Sequence, residues 1–156
     1  MLLRQYVYFA LFSRRTSAAE ITALLGIEPD EVSVRGSRFT EPAVIPVSHS
    51  WKIVCREPGL CVDDQITHVL DRLRPHTTRI AELARQLAAA EGEHGGAVLE
   101  VVRYFNDTDR EQPPLRPGTE EGSNLFGWHL NRDVLDFLTT TGAVLDVDEY
   151  DMTDPA

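Results

Sequence analysis

The chain has 156 residues, 42% hydrophobic and 26% charged. That balance is ordinary for a globular domain and argues against a disordered chain, and no apolar run reaches spanning length. The net charge of −10 is uneven: residues 106–156 carry 12 acidic and 3 basic side chains, whereas residues 1–56 carry 5 and 7. Such a field repels nucleic acid and attracts a cation or a basic partner, so nucleic-acid binding is not expected. The stretch Met1–Gln5 lacks the order of a signal peptide, and two cysteines, Cys55 and Cys61, are too few for a disulfide framework. A cytoplasmic location is the expectation. Lys52 is the only lysine among 15 basic residues, and with the abundant alanine this arginine bias suggests a GC-rich bacterial genome.

Tyr6 to Phe12 alternates Val7, Phe9 and Leu11 with Tyr6, Tyr8 and Ala10, the two-residue period of a strand. Ser17-Ala18-Ala19-Glu20 matches a capping box, and Ile21, Leu24 and Leu25 continue it as a helical stripe ended by Gly26. Residues 28–47 read as loop, with a short edge strand near Val32–Val34. Ser50 to Cys55 forms a strand with Trp51, Ile53 and Cys55 on one side, and Trp51 is expected in the core. Asp63 and Asp64 can cap and charge the start of a helix that Pro75 must break or kink. A second helix runs to about Ala90 and closes at Gly92, Gly95 and Gly96.

Ala97 to Phe105 is the most hydrophobic strand and is expected at the centre of the sheet. The polar stretch 106–123 reads as a long mobile loop. Phe126–Leu130 reads as a short strand, Asn131 caps a helix ended by Gly142, and Ala143–Asp151 forms the last strand. There, Leu145 and Val147 face one way and Asp146 and Asp148 the other. The strand–cap–helix–glycine order near Ser17 recurs near Asn131, a pseudo-repeat of two β-α units. The sum is an α+β two-layer sandwich: a mostly antiparallel sheet of five to six strands with helices on one face. Residues 1–152 make one domain and 153–156 a frayed tail.

Few constellations carry chemistry. The Cys55-x5-Cys61 spacing lacks the paired knuckle of a zinc site, so structural thiols are expected. The five histidines show no ligand spacing, and no phosphate loop, dinucleotide fingerprint or nucleophile elbow is present. No cofactor and no resident metal are expected. What remains is collective: if the helices cover Val7, Phe9, Leu11, Trp51, Leu145 and Val147, the other sheet face presents Tyr6, Tyr8, Lys52, His129, Asp146 and Asp148.

The residues Phe9-Ala10-Leu11, Glu20-Ile21, Leu24-Leu25-Gly26-Ile27-Glu28-Pro29, Arg35-Gly36 and Ser50-Trp51 form an ordered set. It continues through Leu70-Asp71-Arg72-Leu73-Arg74-Pro75, Gly127-Trp128-His129-Leu130, Leu138 and Gly142-Ala143. Together they resemble the bacterial proteins grouped as domain of unknown function 4279, over roughly residues 5–150. The resemblance implies a compact domain and supplies no catalytic residues. Ser37 stands where an acidic residue is expected after Arg35-Gly36.

The sequence therefore reads as a non-enzymatic interaction or ligand-binding module with an acidic surface, its partner a basic protein or a small ligand, with homodimerisation open. The rival reading is a small enzyme built on Asp146, Asp148 and His129, which requires those three groups to converge.

Overall fold

A computed structural model describes residues 3–37, 45–107 and 126–153. Its elements run β1 (Leu3–Ser13), α1 (Ala18–Leu25), β2 (Glu31–Ser33), β3 (His49–Cys55), α2 (Val62–Leu73), α3 (Thr77–Glu91), β4 (Gly96–Phe105), α4 (Arg132–Thr141) and β5 (Val144–Asp151). The strands form one sheet in the order β2-β3-β1-β4-β5. The pairs β2/β3, β3/β1 and β1/β4 are antiparallel and β4/β5 is parallel, because α4 carries the chain back before β5 begins. The fold is α+β, a mixed sheet with its helices packed against one face.

Local chemistry sets the element ends. At α1 the Ser17 hydroxyl accepts from the Glu20 amide at 3.2 Å, and the Glu20 carboxylate accepts from the Ser17 amide at 2.7 Å. The Asn131 side chain accepts from the Val134 amide at 3.0 Å and starts α4 in the same way. Both helices end on left-handed glycines, Gly26 at φ 71° and Gly142 at φ 66°. The cap of α2 is Cys61, with Asp63 and Asp64 in the first turn, where they complement the helix dipole. Pro75 sits in a short 3₁₀ turn, Arg74–His76, that separates α2 from α3.

The core lies between the helices and the face of the sheet bearing Val7, Phe9, Leu11, Trp51, Ile53, Leu99 and Val101, all with no exposed surface. Trp51 is buried as expected, and its indole N–H donates to the Ile27 carbonyl at 3.3 Å, which satisfies the one polar atom of the ring. Phe9 meets Phe137 edge-on at 5.5 Å and ties α4 to the sheet.

Three expectations need correction. The centre of the sheet is β1; β4 is interior beside it, since both flank positions bury a strand of that hydrophobicity. Phe126–Leu130 is not a strand. Trp128 and Leu130 pack against the core from an irregular segment, so their apolar character reports burial and not pleating. The pseudo-repeat holds at the helix caps but loses the strand assigned ahead of Asn131; β4 supplies that strand instead. The loop expected over 106–123 lies outside the described residues except for Asn106 and Asp107, and of the tail 153–156 only Thr153 is described, its amide donating to the Asp151 carboxylate at 3.0 Å.

Candidate functional site on the open sheet face

Among the described residues no helix covers the second face of the sheet. Strand alternation places Arg4, Tyr6, Tyr8 and Ala10 of β1 there, opposite in parity to Val7, Phe9 and Leu11. The pairing register then dictates the neighbours. Tyr8 lies across from Glu100, Glu100 across from Asp146, Val102 across from Asp148, and Tyr104 across from Tyr150; on the other flank, Ala10 pairs with Lys52.

Two aromatic pairs result. Tyr6 and Tyr8 stack with centroids 6.3 Å apart, and Tyr104 and Tyr150 stack at 5.0 Å with 17° between planes. Cations lie over three of the four rings: Arg56 over Tyr6 at 3.9 Å, Lys52 over Tyr8 at 4.4 Å and Arg4 over Tyr104 at 3.9 Å. Arg56 is also held by Glu31 at 2.8 Å and Arg4 by Asp107 at 2.7 Å. Burial lowers the affinity of Lys52 for its proton, an effect opposed by Glu31 and Glu100.

The acidic half is arranged differently. Carboxylate oxygens of Glu100, Asp146 and Asp148 lie within 4.8 Å of one another. Among the described residues no Lys or Arg forms an ion pair with any of the three. The Tyr8 hydroxyl donates to Glu100, and the Tyr150 hydroxyl lies 3.5 Å from Asp148. Burial pushes the Glu100 carboxyl above the usual range; the Tyr8 hydrogen bond opposes this, and the Asp148 and Asp146 carboxylates add to the rise. The Tyr8 phenol is raised by burial and by the hydrogen bond it gives to Glu100. The face is thus bipolar. Its cations are engaged by rings and carboxylates, and its carboxylates at the β4–β5 side crowd together with no Lys or Arg ion pair among the described residues.

Of the six residues singled out from sequence, Tyr6, Tyr8, Lys52, Asp146 and Asp148 share this face. His129 does not. It sits in the helical layer, its Nδ1 2.8 Å from an Asp63 carboxylate oxygen at the start of α2; the same oxygen accepts the His129 amide at 3.1 Å. Its side chain is 77% exposed. The expectation failed because it rested on the Phe126–Leu130 strand, whose alternation does not exist. Glu100, Tyr104, Tyr150, Arg4 and Arg56 escaped notice. The signal for the first two was present: with Leu99 and Val101 inward, alternation along β4 sends Glu100 and Tyr104 outward.

Two other places bring together groups with chemical potential. The Cys55 sulfur lies 3.9 Å from Nδ1 of His68, and Glu57 approaches that same nitrogen at 3.7 Å. A base oriented by a third group needs two different ring nitrogens, and burial raises the Cys55 thiol where a nucleophile needs it lowered. Both cysteines are free, and the arrangement fits structural thiols. A cleft of about 820 Å³ opens where the C-terminal ends of α3 and α4 meet the start of β4, lined by Ala88, Gly92, Thr139 and Thr141. It contains none of the six sequence candidates; its wall combines hydroxyls and methyl groups with Glu82, Arg85 and Glu93, and no histidine or cysteine lines it.

The fold and this face define a small α+β protein with one tyrosine-rich sheet face that no described helix covers. A family model described as Domain of unknown function (DUF4279) matches residues 4–152, and the chain belongs to that family. No curated protein and no solved structure matches it. Among the described residues no helix is long and apolar enough to cross a membrane.

Proposed function

We propose that the protein is a binding module whose open sheet face receives a basic partner. The observation that carries this reading is the group Glu100, Asp146 and Asp148, three carboxylates within 4.8 Å of one another beside two tyrosine pairs and, among the described residues, in no ion pair with Lys or Arg. Crowded like charges cost folding energy, and an external cation placed among them relieves that cost. Tyrosine rings supply rigid contact area and a negative face for that cation. Glu149 and Asp151, on the same strand as Asp146 and Asp148, add negative charge beside the group, and such a field steers a basic partner toward it. A dimer that set the β4–β5 half of this face against itself would place acid against acid, so homodimerisation through that half is disfavoured. The enzyme reading loses its base, because His129 is bound to Asp63 in the other layer.

The test is fluorescence anisotropy with a labelled arginine-rich peptide, on wild type and on the Asp146→Asn/Asp148→Asn variant. Binding to wild type should weaken steeply with salt, and the variant should bind roughly tenfold or more weakly, with a shallower salt dependence. Equal binding by both proteins at every salt concentration would end this reading.

A further inference from the structure

We propose that the outer edge of β5 is the docking edge of this face, and that it accepts an extended, arginine-bearing segment of the partner as an added strand. The inference rests on the open-face reading and names the partner's conformation and pattern.

Four observations converge on the edge. Among the described residues β5 pairs only with β4, so the other side of an eight-residue strand presents backbone donors and acceptors that no described strand takes up. The opposite edge of the sheet, β2, is only three residues long. β5 carries Asp146, Asp148, Glu149 and Asp151 and no basic residue, so its charge complements a basic strand and repels a second copy of itself. Apolar side chains are left open between these acids: Val144 is 64% exposed, Val147 38% and Tyr150 45%. The aromatic stack has an open end as well. Arg4 caps Tyr104, Tyr104 stacks on Tyr150, and Tyr150 on the edge strand has no cation recorded over it among the described residues, while Asp148 lies beside its hydroxyl.

A strand added beside β5 keeps the parity of the sheet. Side chains on its open-face row meet Val144, Asp146, Asp148 and Tyr150; those on the other row meet Leu145 and Val147, and beyond them Glu149 and Asp151, which Arg103, Asn106 and Thr153 already engage. The chemistry that fits is therefore alternation: arginine on one row, where the guanidinium pairs with a carboxylate and stacks on Tyr150, and valine or leucine on the other, where it covers Val147. Acidic edge residues also prevent self-association, and the two roles agree, since the charges that reject a second β5 select a basic strand.

The test uses the full chain and two seven-residue peptides of alternating arginine and valine, one unmodified and one methylated on its backbone nitrogens. Both carry the same charge, and only the first can donate strand hydrogen bonds. The unmodified peptide should bind at least about tenfold more tightly, the loss expected when ladder hydrogen bonds are removed. At saturation it should slow exchange of the β5 amide protons that do not donate to β4. Equal affinity of the two peptides, with open-face resonances shifting and β5 exchange unchanged, would overturn strand addition and leave the open-face reading standing. No binding of either peptide would overturn both. Asp148→Asn serves as a second variant: it keeps strand geometry, and on this proposal it weakens both peptides without abolishing the difference between them.

Discussion

Replacing Glu100 by Gln should make the protein more stable at neutral pH, the opposite of what removing a half-buried, hydrogen-bonded side chain usually does. The amide keeps an acceptor for the Tyr8 hydroxyl and removes one of three charges that lie within 4.8 Å of one another. Two like charges at that separation repel by about 0.9 kcal/mol at the dielectric constant of water and by about 3.5 kcal/mol at an effective value of 20. Asp146 is exposed and Asp148 half-buried, so the lower part of the range applies, and a gain of roughly 1 kcal/mol is expected. The sign with pH follows from linkage. Burial and its acidic neighbours hold the Glu100 proton more tightly in the folded state than in the unfolded chain. Its contribution is therefore present below the ordinary glutamate range and lost as pH rises through the raised folded value. Urea unfolding followed by tryptophan fluorescence, for wild type and variant at several pH values, measures it. The stability difference should be near zero or negative in acid, grow toward neutral pH, and shrink with added salt. A variant less stable than wild type at neutral pH, with no pH dependence in the difference, would refute the electrostatic account of the cluster.

Trp51→Ala should cost about 3–5 kcal/mol in denaturant unfolding, because a fully buried ring and its bond to the Ile27 carbonyl are both lost. Gly142→Ala should cost about 1 kcal/mol by the same measurement: no atom lies within 4 Å of the added methyl, so the penalty is that of the left-handed φ of 66° alone. Asp30→Asn should loosen β3, since Asp30 receives the Val54 amide at 2.7 Å and the Arg72 guanidinium at 2.6 Å; the loss is about 1–2 kcal/mol, and faster amide exchange at Val54 reports it.

Much of this molecule was legible because local rules and tertiary packing agree. The alternation of Val7, Phe9 and Leu11, the Ser17 and Asn131 caps and the stop at Gly26 each name an element, and each is there. The failures lie where one local signal had two causes. Trp128 and Leu130 flank His129 as strand residues would, yet they are apolar because they plug the core from an irregular segment. The central place of β1 follows from crossovers that no single segment encodes. Asp146 and Asp148 were visible as an alternating pair, but their meaning depends on Glu100, brought beside them only by the parallel β4/β5 register. Tyr8 was likewise visible without its hydrogen bond to that carboxylate, because the contact joins residues 92 positions apart.

On the proposed function, the sheet face that no described helix covers is the binding face. Amide and tyrosine-ring chemical shifts of the labelled full chain, recorded while the alternating arginine–valine peptide is added, test it most directly. The account predicts that the shifts concentrate on Tyr8, Glu100, Asp146, Asp148 and Tyr150. Shifts confined instead to the cleft between α3 and α4, at Ala88, Thr139 and Thr141, would contradict it.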